Sequence, residues 1–126
     1  QQRIDNPQAI ADYFRPKLQD KAHEECQLMF LRNNLTYMGS IRVSQGGITS
    51  SAVDVRQVLR EAILRQCTAI VFCHNHPSGT LVPSRQDKEL THRLVEACKA
   101  VDIALIDHVI VSSQGYYSFS EEGTLC

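Results

Sequence analysis

Five apolar residues in succession, Ala69-Ile70-Val71-Phe72-Cys73, run straight into His74-Asn75-His76-Pro77. The run shows no alternation of polar and apolar positions. A strand with one wet face alternates, whereas a strand covered on both faces does not. The run therefore predicts an inner strand of a sheet sandwiched between helices. It also puts two imidazoles at the carboxyl end of that strand, where open α/β sheets gather their binding sites.

The rest of the chain supplies the sheet and its covers. Asn6 and Pro7 read as the N-cap and first position of a helix with the apolar stripe Ala9, Ile10, Tyr13 and Phe14. Pro16 ends or bends it. Glu24 to Leu31 and Gly39 to Val43 read as two strands paired through a turn at Arg32-Asn33-Asn34. Gln45-Gly46-Gly47 breaks the pattern. Asp54 caps a second helix, with Val55, Val58, Leu59, Ala62 and Ile63 on one face. The loop from Pro77 to Pro83 leads to a third helix striped by Leu90, Leu94, Ala97, Cys98 and Val101. Ile103 to Val111 and Tyr116 to Phe119 close the chain as strands. This order predicts an α/β fold, a mixed sheet flanked by helices. At 126 residues the chain suits a single core.

Bulk properties exclude several functions. A net charge of -1 gives no electrostatic case for nucleic-acid binding. Arg56, Arg60 and Arg65 read as a solvated helix face. The five cysteines are odd in number and form no Cys-x-x-Cys pair, so neither a disulfide framework nor a cysteine zinc knuckle is expected. Reduced thiols fit a cytoplasmic setting. No apolar run is long enough to span a membrane, and no secretory leader opens the chain. Because the first residue is Gln1 rather than Met, an upstream segment is an open expectation.

Beyond the two histidines stand Ser84 and Asp87, in the register His-x-His-x7-Ser-x-x-Asp. Residues two apart on an extended segment point the same way, so His74 and His76 can aim at one point. Asp87 falls in the first turn of the third helix, and Gly79 eases the loop back. Two nitrogens and a carboxylate leave one tetrahedral position open, as a hydrolytic zinc site requires. Ser84-x-x-Asp87 is equally a capping box. The roles need not compete, because a hydroxyl can accept a backbone N–H and still donate its proton to a developing oxyanion. The general base must come from elsewhere. Glu24 or Glu25 reaches the site if their strand neighbours the inner one, but alternation allows only one of them.

These residues resemble the JAMM (MPN+) metalloprotease motif, and more closely its RadC branch. His74-Asn75-His76-Pro77-Ser78-Gly79, Pro83-Ser84-x-x-Asp87, Leu105-x-Asp107-His108, Tyr117-Ser118-Phe119 and Val53-Asp54-Val55-Arg56 all read that way. The likeness runs from about His23 to Gly123, behind an N-terminal helical segment over 1–22. It implies a JAMM domain similar to cytidine deaminases, with His74, His76 and Asp87 as zinc ligands. It further implies Ser84 at the oxyanion and Glu24, in preference to Glu25, as the base. The implied activity is hydrolysis of a peptide or isopeptide bond in a peptide or protein substrate. The helix-hairpin-helix region of longer RadC proteins is not in this sequence, and with it goes the usual ground for expecting DNA contact. The family's DNA-repair association is a name rather than a mechanism.

Three other readings compete. The fold could serve as a protein- or nucleic-acid-interaction module with zinc structural or vestigial. The string His-Asn-His suggests a nuclease, but in that family those residues are dispersed rather than contiguous. Cys73 could act as a nucleophile, although a thiol ending an apolar strand is more often a small core residue. Asp107 and His108 read either as partners behind a zinc-bound histidine or as a polar pair at a strand edge. The loops Gly46 to Ser51 and Thr80 to Val82 carry no decisive chemistry.

Overall fold

The computed structural model describes residues 2–43 and 53–125. In chain order these form α1 (Pro7–Leu18), β1 (Cys26–Leu31), β2 (Tyr37–Arg42), α2 (Val55–Leu64), β3 (Ala69–Asn75), α3 (Arg85–Ala100), β4 (Ala104–Ser112) and β5 (Gly115–Ser118). The strands make one mixed five-stranded sheet in the order β2-β1-β3-β4-β5. Only β3 and β4 run parallel, and α3 crosses between them. This is the α/β sandwich expected, with the apolar run in its central strand.

Two apolar layers explain why β3 does not alternate. Ile70 and Phe72 pack with Val58 and Ala62 of α2 and with Leu90, Leu94 and Cys98 of α3. Ala69, Val71 and Cys73 pack on the other face with Ile10, Phe14 and Leu18 of α1. Each fully buried Val, Leu, Ile or Phe among them contributes roughly 1.5–3 kcal/mol relative to exposure. Along β3, His74 continues the series of Ile70 and Phe72, so its ring faces the α2/α3 side.

Several boundaries differ from those read in the sequence. Pro16 neither ends α1 nor stops its packing: the helix continues to Leu18, which is fully buried. β3 extends to Asn75, because β1 keeps pairing with it as far as His74 and β4 as far as Asn75. β1 begins only at Cys26, so Glu24 sits just before the ladder. β2 runs over Tyr37–Arg42, and the connection to it continues past Asn34 to Leu35, whose φ is 64°. Ile63 and Val101, which the sequence pattern puts on apolar stripes, are 52% and 39% exposed, whereas Thr91 and Val95 are buried. Ile63 lies on a helix only partly covered by the sheet, and Val101 is the cap just beyond the end of α3. The Gln45–Gly47 breaker and the Gly46–Ser51 loop fall outside the described residues.

One irregularity matters for the site. Ile70 pairs with Leu105, but the next residue, Val71, pairs with Asp107. The extra residue is a bulge in β4, which re-aims everything after it. Ile106 and Val109 both pack in the α1 layer although they are three apart, and His108 is turned to the α3 side.

Candidate metal centre

β3, the loop after it and the start of α3 bring His74, His76 and Asp87 together. His74 Nε2 and His76 Nε2 are 3.2 Å apart. Asp87 Oδ1 lies 3.1 Å from His74 Nε2, and Oδ2 lies 3.1 Å from His76 Nε2. Ligands held at 2.0–2.1 Å in a tetrahedron are separated by about 3.3 Å, so these nitrogen–nitrogen and nitrogen–oxygen separations are close to those that a zinc-sized ion imposes. The chemistry of the donors fits as well. Two ring nitrogens and the two oxygens of one carboxylate face one another in a buried corner, an arrangement a dication satisfies better than protons shared among them. The side chains of His74 and Asp87 are 0% and 1% exposed and that of His76 is 10%, so His76 forms the rim.

Asp87 is held by the capping box. Ser84 Oγ accepts the Asp87 N–H at 3.0 Å, and Asp87 Oδ2 accepts the Ser84 N–H at 2.8 Å. The pair that alone would be only a helix start here fixes the carboxylate that faces both rings. Gly79, at φ 92°, turns the loop, and Ser112 Oγ donates to its carbonyl at 2.9 Å. That backbone angle suits glycine because a side chain there is strained. His76 Nδ1 is 3.0 Å from the Thr80 carbonyl. A carbonyl only accepts, so the ring proton sits on Nδ1 and the bare Nε2 turns into the site. Burial opposes charging His76, but the bond to Asp87 and its charge outweigh that and raise its pKa. Thr80 thus has a positioning role its loop did not advertise in sequence.

Glu24 arrives from the other side. β1 pairs antiparallel with β3, with Cys26 opposite His74. The Glu24 carboxylate and the nitrogens of His74 and His76 all lie within 4.8 Å of one another. Glu25 turns elsewhere, to Lys21 at 3.4 Å, Arg42 at 3.6 Å and the amide of Gln27 at 2.8 Å. Geometry thus separates two acids that spacing alone could not. Asn75 holds this segment in place. Its side-chain oxygen accepts the Glu25 N–H at 2.6 Å, and its amide donates to the His23 carbonyl at 3.1 Å. The β1–β3 register would put Glu25 opposite Asn75, so the side chain takes over where the ladder stops.

The polar pair on β4 divides its duties. β4 lies inside the sheet rather than at its edge. Asp107 accepts the N–H groups of His108 and Ser120 and the hydroxyl of Ser118, which ties β4 to the end of β5. Burial raises its pKa. His108 stands behind His74, with Nε2 2.8 Å from His74 Nδ1. A second imidazole rather than a carboxylate therefore stands behind His74, stacked on Phe119 and edge-on to Phe72. Burial and the neighbouring His74 push its pKa well below the ordinary value.

Cys73 is fully buried in the α1 layer, away from the two rings, and burial pushes its thiol well above the ordinary range. Such a thiol is inert. No disulfide joins the described cysteines.

Comparison with known families matches residues 4–124 to the RadC-like JAB domain. The chain belongs to this family. It is 38% identical over 98% of its length to a UPF0758 protein of Symbiobacterium thermophilum, of which it covers 53%. A UPF0758 protein of Pseudomonas fluorescens is 37% identical over 97% of the chain, with 54% of that protein covered. One from Clostridioides difficile is 37% identical over 94%, with 51% covered. The RadC-like chain therefore spans about half the length of these relatives. The His74–His76–Asp87 triangle and the nearby Glu24 lie wholly within the matched residues. No helix among the described residues is long and apolar enough to cross a membrane.

Proposed function

We propose that this RadC-like domain is a zinc-dependent hydrolase of peptide or isopeptide bonds. One observation carries the reading: two ring nitrogens 3.2 Å apart each face an oxygen of Asp87 at 3.1 Å, and a second carboxylate, that of Glu24, lies within 4.8 Å of both rings. A purely structural site would need its ligands and nothing more.

His74, His76 and Asp87 would hold the ion. Zinc bound there would supply Lewis acidity and a water of pKa near about 7. Glu24 takes one proton from the attacking water as its oxygen bonds to the substrate carbonyl carbon. Ser84 Oγ, already accepting the Asp87 N–H, keeps its own proton to donate to the carbonyl oxygen as that gains charge. The carbon–nitrogen bond then breaks, and Glu24 returns the proton to the leaving amine. The partner is a peptide or protein, and the buried thiols suit a cytoplasmic setting.

Glu24→Gln keeps the size of the side chain and removes its basicity. Incubated with a library of peptides and lysine-isopeptide conjugates, the zinc-loaded parent should release new amines. The variant should do so about 10²–10⁴-fold more slowly while binding zinc equally well. Equal cleavage by both proteins would refute the assignment of Glu24.

A further inference from the structure

A zinc-binding histidine must offer an unprotonated nitrogen, so something has to decide where its proton sits. For His76 a backbone carbonyl decides. At His74 Nδ1 the partner is another ring, that of His108, which could in principle present either a proton or a lone pair.

The order of protons follows from one fixed point. Thr91 Oγ1 lies 2.8 Å from the Asp87 carbonyl. A carbonyl can only accept, so the single hydroxyl proton of Thr91 is given to it. His108 Nδ1 also lies against Thr91 Oγ1, at 2.5 Å. With the hydroxyl proton spent, that nitrogen must be the donor. A neutral His108 that carries its proton on Nδ1 has a bare Nε2. This bare nitrogen is 2.8 Å from His74 Nδ1, which must therefore carry the proton between them. The remaining nitrogen of His74, Nε2, is then the one left with a lone pair. It is also the one that faces His76 and Asp87.

We propose that Thr91 and His108 are positioning residues that set the tautomer of His74, so that a lone pair rather than a proton is presented at the metal centre. The chain starts on the backbone of Asp87, itself a member of the triangle. One helix turn, from Asp87 to Thr91, thereby couples a carboxylate ligand to the proton on a histidine from another element. The β4 bulge is what makes this possible, because it turns His108 toward α3. The inference rests on the metal-site reading, but the proton positions can be read without metal.

The test is nitrogen-15 NMR of the histidine rings in the metal-free protein at mildly alkaline pH, combined with zinc titration of variants. The expected result is a proton on Nδ1 of both His108 and His74. Thr91→Val should mix the tautomers and weaken zinc binding about 10–100-fold, the usual effect of losing an outer partner of a ligand. Thr91→Ser keeps the hydroxyl and should restore both. A proton on His108 Nε2 in the parent protein overturns the proposal without any variant. So does a Thr91→Val protein that is folded and binds zinc as tightly as Thr91→Ser. Correct tautomers with no zinc binding would instead sink the metal-site reading and leave the proton order standing.

Discussion

Replacing Asn75 by alanine tests whether the link between Glu24 and the paired histidines is built as described. The side chain satisfies two backbone groups flanking Glu24: the Glu25 N–H, which is buried, and the His23 carbonyl, which lies at the exposed end of the segment. An orphaned buried donor costs about 1–3 kcal/mol. The His23 carbonyl can recover water, so its loss adds about 1 kcal/mol at most. The expected destabilisation is roughly 1–4 kcal/mol, a sizeable part of the 5–15 kcal/mol typical of a domain. With a urea slope of about 2 kcal/mol/M, the midpoint should fall by roughly 0.5–2 M. Denaturation of the metal-free protein, followed by circular dichroism, measures this directly. Asn75 touches neither ring nitrogen of the site, so zinc affinity should change little. Hydrolysis should drop by about 10²-fold if Glu24 moves by an ångström. A loss of stability under about 0.5 kcal/mol would show that water replaces the side chain freely and that the clamp is no clamp.

Other outcomes follow from the same geometry. Glu25→Gln should leave hydrolysis intact, since Glu25 pairs with Lys21 and Arg42 rather than facing the rings; a loss matching that of Glu24→Gln would reverse the assignment. Ser84→Ala should cost about 0.5–2 kcal/mol as a lost N-cap yet keep zinc, because Asp87 Oδ2 is held by the Ser84 backbone N–H; zinc loss would contradict the division of roles. The raised pKa of His76 gives a pH dependence of definite sign. In the metal-free protein its stabilisation is present below about pH 6.5, the unfolded value, and is lost as pH rises through the folded value. Zinc requires the neutral ring, so the extra thermal stability conferred by zinc should grow from about pH 6 to pH 8. An increment independent of pH would rule His76 out as a ligand.

Much of this was legible in the chain because it depends on short-range regularities. The apolar run of β3 announced a strand covered on both faces, and alternation put His74 and His76 on one side. The capping box was readable from Ser84 and Asp87, though not that it would aim the carboxylate. What sequence could not supply depends on register. Glu24 and Glu25 are equivalent until the β1–β3 pairing places Cys26 against His74. Asp107 and His108 stay undecided between a role behind the site and a strand-edge pair until the inserted residue in β4 turns His108 toward α3. Pro16 misled because a proline penalty of about 3 kcal/mol competes with buried Phe14 and Leu18 on the same helix, and tertiary packing prevailed.

The central claim is that His74, His76 and Asp87 form a metal site. Metal analysis and zinc titration of purified protein at neutral pH test it most directly. About one equivalent of zinc should bind, and His76→Ala should abolish tight binding while leaving the fold intact, since its ring lies at the rim. No zinc binding after supplementation, or zinc retained undiminished by His76→Ala, would contradict the account.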